Sequence, residues 1–271
     1  MVFEQFLESD KIKKHSLFIF ILGIFYVLAS YFVSSYFFEK EISLAVIFMS
    51  TLLLTPSVYT ILNIEEKLES REGLQHFFHN HKDIFKIFLL LFIGIFFAFV
   101  FLGFYSGESL FDYQINFLNA RGDLSGSIVS DINSYAPSMS NVFGLISQNL
   151  TVIVIAFFLS VFYGAGALFL IVLNASIFAG FIFYVIREIG NYFSVIGLFL
   201  IHLVPELSGF LIAAIAGGIV SRAIMKEKFG SEGFKNIMSD ALVLLLISVV
   251  LIVIAAFLEV FVSAKLVKLV I

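Results

Sequence analysis

The stretch "IHLVPELSGF", residues 201–210, sets a histidine, a proline and a glutamate within five positions of an otherwise apolar tract that runs from Tyr192 to Ile224. Each of the three is penalised in lipid, so the reading of this tract decides the fold. A helix needs about 20 apolar residues to cross a bilayer, and backbone polar groups in lipid must be satisfied within the segment. The tract exceeds one straight crossing, and Pro205 near its middle removes a backbone donor and crowds the preceding turn. A kinked or broken helix is expected, or a re-entrant piece followed by a full span.

The rest of the chain supports a membrane setting. Of its 271 residues 61% are hydrophobic and 13% charged, with 36 phenylalanines and a mean hydropathy of +1.06. Soluble domains run nearer about 45–50% apolar and about 25% charged. A formal charge of −4, evenly dispersed, points to no nucleic-acid partner and no polybasic tether. The absence of cysteine excludes disulfides, iron–sulfur clusters and thiolate chemistry.

Spans are expected at 16–38, 44–62, 84–105, 142–163, 167–186, 192–224 and 240–261, giving an all-α polytopic transmembrane bundle of about seven spans, kinked or broken at Pro205. The first run follows Lys11, Lys13 and Lys14 like a signal peptide, but it is longer than the 7–15 residues of a typical h-region. Three regions result: a two-span hairpin at 1–63, a charged amphipathic connector at 64–83 expected in the cytoplasm, and a five-span part at 84–271 carrying a loop at 106–140. Within that loop Leu110, Phe111, Phe117 and Leu118 have helical spacing, which suggests a short interfacial helix. The remainder has loop chemistry and forms the expected partner-facing surface.

Basic residues orient the chain. Lys11, Lys13, Lys14, Lys67, Arg71, Lys82, Lys86, Arg222, Lys226, Lys228 and Lys235 fall on one side; Lys40, Arg121, Arg187, Lys265 and Lys268 fall on the other. The expectation is a multi-pass protein of the cell membrane with a cytoplasmic N-terminus and an external C-terminus.

His202 and Glu206, four apart, stack on one face if the helix continues through Pro205. Gly209, Ala213, Gly217 and Ser221 continue as a small-residue stripe of the kind that admits a close neighbour in lipid. Asn174 lies deep in another span and is expected to complete a polar core with His202 and Glu206, with Asn149 nearer a span end. A charge left at mid-bilayer costs about 2.5–3.5 kcal/mol on the insertion scale, so pairing, protonation or a wet cavity must relieve it.

Three uses of such a core are open: interhelical hydrogen bonding, an ion or solute path, and catalysis. Catalysis lacks parts. Catalytic zinc normally has three protein ligands, and His202 with Glu206 supplies two. Ser208 sits on a different helical face from His202 and outside any nucleophile elbow, and Glu259 is expected to snorkel to the outer interface. His76, His79 and His81 in "HFFHNH" read as interfacial anchors before metal ligands, and the sequons "NLT" and "NAS" lie in expected spans. No catalytic residue, metal ligand set or cofactor is expected.

The stretch 146–181 resembles the stage II sporulation protein M family of small membrane proteins, also called DUF95, through Asn149, Gly164, Gly166, Asn174 and Gly180, with Ala175 where the family has glycine. A second signature is similar at His202, Glu206, Gly209, Ala213 and Gly217, with Leu203 in place of a glycine. The resemblance covers about 84–262. It implies a membrane component that works with envelope partners such as peptidoglycan-degrading proteins. The leading expectation is a non-catalytic scaffold, a transporter or channel with a His202/Glu206/Asn174 site comes second, and an intramembrane hydrolase third. The expected partners are the lipid bilayer, other membrane or envelope proteins and a second copy of the chain, not nucleic acid.

Overall fold

A computed structural model describes residues 16–72, 74, 77–121, 137–164, 166–188 and 192–266. Its long helices are α1 (Ser16–Phe37), α2 (Ile42–Glu72), α3 (Phe77–Ser106), α5 (Met139–Tyr163), α6 (Ala167–Glu188), α7 (Tyr192–Lys226) and α8 (Glu232–Leu258), with a short α4 (Asp112–Arg121) between α3 and α5. A π-helical turn, Glu259–Ser263, extends α8. Seven helices are long and apolar enough to cross a membrane, and no strand occurs among the described residues. The chain is therefore an all-α polytopic bundle.

Local chemistry sets the helix ends. Ser138 caps α5 by accepting from the backbone N–H of Asn141, and Ser231 caps α8 by accepting from that of Phe234; each satisfies a donor that the first turn leaves orphaned. Gly164 ends α5 with φ +66, in the left-handed region that glycine adopts without a Cβ clash.

The bundle is organised around α7, which packs most extensively on α8, then on α5, and also meets α2, α6 and α3. Pro205 lies inside α7, which is one element from Tyr192 to Lys226; the re-entrant alternative is set aside. Its 35 residues correspond to about 52 Å at 1.5 Å per residue, against a hydrocarbon core of about 30 Å. The N-terminal hairpin belongs to the same body. α1 crosses α3 where Gly23 meets the backbone of Leu91 and Gly94 meets that of Phe20, a contact that only missing side chains allow. Phe25, Phe32, Phe101, Phe143, Phe162 and Leu246 face outward, the apolar exterior a lipid-facing bundle presents.

Two segments differ from expectation. α2 continues through Glu72, so part of the 64–83 segment is the end of a packed helix, and Glu65, Glu66 and His81 are buried. The reason is pairing across helices, described below. At the other end, Leu110, Phe111 and Gln114 are fully buried, so this stretch seats one face in the bundle more deeply than the sequence suggests. Phe111 fits because Gly103 and Gly180 beneath it have no side chains. The side chains of Phe117 and Leu118, and residues 122–136 of the expected external loop, lie outside the described residues.

Candidate functional site

His202 is 6% exposed and faces the far end of α8. Its Nδ1 lies 2.9 Å from the Ser263 hydroxyl, and that hydroxyl lies 3.0 Å from the Leu198 carbonyl, to which it donates. A hydroxyl has one proton. With that proton on the carbonyl, the imidazole is the donor to Ser263, so the Nδ1–H tautomer is fixed and Nε2 keeps its lone pair. Phe199 packs on the ring at 5.4 Å between centroids.

One turn further along α7, Glu206 is half-buried beside it. Glu259, also half-buried, opens the π-helical turn of α8. One ligand atom each from His202, Glu206 and Glu259 falls within 4.8 Å of the others. Glu259, expected to snorkel, thus joins the polar pair. It reaches that place because one face of α8 follows α7 along its length. Ser248 on that face donates to the Gly209 carbonyl at 2.8 Å, Ile252 packs on Gly209, and Glu259 and Ser263 continue the same contact.

The other residues singled out in the sequence divide. Asn174 lines a narrow crevice with Val152, Leu170, Leu207, Phe210, Leu211 and Ala214. The crevice holds about 10 Å³, near the least room one water needs. Asn149 is buried on α5. Ser208 donates to the Val204 carbonyl of its own helix at 2.7 Å. Ala213 is fully buried, and a Cβ on Gly217 would lie 2.5 Å from the Phe157 carbonyl oxygen, so the small-residue stripe turns from α8 at Gly209 to α5 at Gly217. Gly166 sits against Leu159 in the α5–α6 turn. His76 lies outside the described residues, as does the side chain of His79.

A second polar cluster, which the sequence reading did not anticipate, occupies the end of the bundle that carries the α7–α8 turn. Lys226 meets Glu66 at 2.8 Å, and His81 meets Glu65 at 3.2 Å. Arg222, 1% exposed, lies over the Tyr59 ring with its guanidinium carbon 2.9 Å from the centroid, a cation–π contact. Asp240 is 1% exposed in α8. Neither of its carboxylate oxygens, nor Nε and Nη2 of Arg222, meets a hydrogen-bond partner among the described residues. A signal did exist: Arg222 and Lys226 are four apart at the end of an apolar helix, as suits one charged face, and adjacent Glu65 and Glu66 offer the complement.

A family model described as Stage II sporulation protein M matches residues 87–264. The matched part runs from α3 through the π-helical turn and so contains the whole His202/Glu206/Glu259 cluster, but it excludes α1 and α2. No curated protein and no solved structure matches the chain.

Proposed function

The chain belongs to the stage II sporulation protein M family, and we propose that it acts as a non-catalytic membrane scaffold which presents the connection between α4 and α5 to envelope partners. The observation that carries this reading is the anchored root of that connection. Gln114 in α4 is fully buried; it accepts from the Ser43 hydroxyl of α2 at 2.6 Å and donates to the Ser176 hydroxyl of α6 at 3.1 Å. With Leu110 and Phe111 fully buried as well, the root of that connection is held at a fixed point, as a presenting surface requires.

Hydrolysis is less well supported by this site. Ser263 gives its proton to the Leu198 carbonyl and Ser208 gives its own to the Val204 carbonyl, so neither hydroxyl directs its proton at a base as an activated nucleophile does. A transport reading has one supporting observation, the half-buried carboxylates of Glu206 and Glu259 inside the span region. It predicts that Glu206→Gln abolishes flux in proteoliposomes.

The scaffold reading is tested by site-specific photo-crosslinking from positions 124, 128 and 132 in native membranes. Discrete adducts with an envelope protein are expected, and Gln114→Leu, which frees the root, weakens them. No adduct above background at any of the three positions sinks the reading.

A further inference from the structure

We propose that His202, Glu206 and Glu259 bind a single divalent transition-metal ion between α7 and α8, with zinc favoured by the ligand set. One imidazole nitrogen and two carboxylates form a donor set that zinc accepts, and three protein ligands leave a fourth position open for water or another small ligand. Two ligands were visible in the sequence; the third comes from a helix 53 positions further along the chain (259 − 206).

The spacing is close to what an ion requires. Zinc bonds of about 2.0–2.2 Å place tetrahedral ligand atoms roughly 3.4 Å apart. The three atoms already lie within 4.8 Å of one another, so the glutamates, with three side-chain torsions each, need to close by roughly an ångström.

A second, independent feature points the same way. Metal-ligating histidines donate their other ring N–H to a protein acceptor, which fixes the tautomer and aims the ring. Here Nδ1 is engaged by Ser263, whose own proton goes to Leu198, so the lone pair is held on Nε2. The π-helical turn that carries both Glu259 and Ser263 is a rare distortion found frequently at functional sites. The metal site stands on these contacts alone and does not depend on the scaffold reading.

The test uses the full chain with an affinity tag free of histidine, reconstituted in lipid nanodiscs, stripped with a chelator and then equilibrated with Zn²⁺ or Co²⁺. Elemental analysis is expected to give about one zinc per chain, and Co²⁺ should give the strong visible bands of a four-coordinate ion. Glu206→Gln with Glu259→Gln should remove both signals, and Ser263→Ala should weaken zinc binding by about 10–100-fold with the ligands intact. A His76→Gln/His79→Gln background separates this site from the terminal histidines. Metal retained in the double glutamine variant, or lost only in the His76/His79 variant, overturns the proposal. So does a wild-type protein without stoichiometric zinc or four-coordinate cobalt bands, an outcome that does not depend on whether any variant folds.

Discussion

Gln114 shows how one side chain holds three helices. Its carbonyl takes the Ser43 proton, its amide gives to Ser176, and Ser176 gives its own proton to the Leu173 carbonyl at 2.7 Å. Each of these protons is used once, so removing the amide leaves the buried Ser43 proton without its acceptor, while Ser176 keeps its bond to Leu173. Gln114→Leu should lower stability by about 1–3 kcal/mol, read as a lower Tm in detergent, and adding Ser43→Ala should recover part of the loss. At the opposite end, Glu66 and Lys226 are paired but unequal: the Glu66 side chain is 3% exposed and that of Lys226 is 37% exposed. Removing the lysine leaves an anion that still has Arg222 nearby; removing the glutamate leaves Arg222 buried with one compensating charge fewer. Glu66→Gln should therefore destabilise more than Lys226→Met in the same thermal assay, and the reverse order would contradict this account. Such pairings were the least legible part of the sequence. His202 and Glu206 declared themselves by their four-residue spacing, whereas Glu259 looked like an interface residue because nothing local shows which helix it will meet.

At the scale of the element, seven apolar runs were legible as seven spans because the hydrocarbon thickness imposes a length that composition alone reveals. Their ends were less so. A reading that stops a span at the first charges closes the second run at residue 62, yet α2 runs on to Glu72 because Glu65 and Glu66 find partners on α3 and α7. Register was illegible in α8, which is apolar around most of its circumference, so periodicity does not say which face turns to α7. Glycines in α7 show the same distinction between pattern and packing. A Cβ at Gly217 would sit 2.5 Å from the Phe157 carbonyl and 2.6 Å from Ser160 Cβ, whereas one at Gly197 would meet nothing within 4 Å. Gly217→Ala should separate α5 from α7 and cost about 1–3 kcal/mol. Gly197→Ala should be neutral or stabilising by about 0.5–1 kcal/mol, the helix-interior difference between the two residues. Equal effects at the two positions would show that the stripe does not set the approach of α5.

For the whole molecule, the decisive question is whether the family-matched part is a folding unit. It contains α7 and α8, and with them Arg222, Lys226 and Asp240, but it lacks the α2 groups that meet two of these: Tyr59 over Arg222 and Glu66 against Lys226. Cutting α2 away would leave a buried guanidinium beside lipid or an empty groove, and a charge inside a membrane is costly without a partner. Removing α1 with it would also expose the face of α3 that receives α1 at Gly94. The hairpin therefore acts as part of the core, although the sequence presents it as an addition in front of a recognisable family segment. Residues 77–271 expressed alone should give no monodisperse, heat-cooperative species in detergent. Co-expressed with 1–72 as a separate chain, they should co-purify and recover most of the intact protein's Tm, because the required contacts are between helices and not through the α2–α3 turn. If 77–271 alone melts at the temperature of the intact protein, the ion-paired end cluster is not what joins the two parts. In that case Arg222 must draw its compensation from α5, whose last residue precedes Gly164 beside the guanidinium.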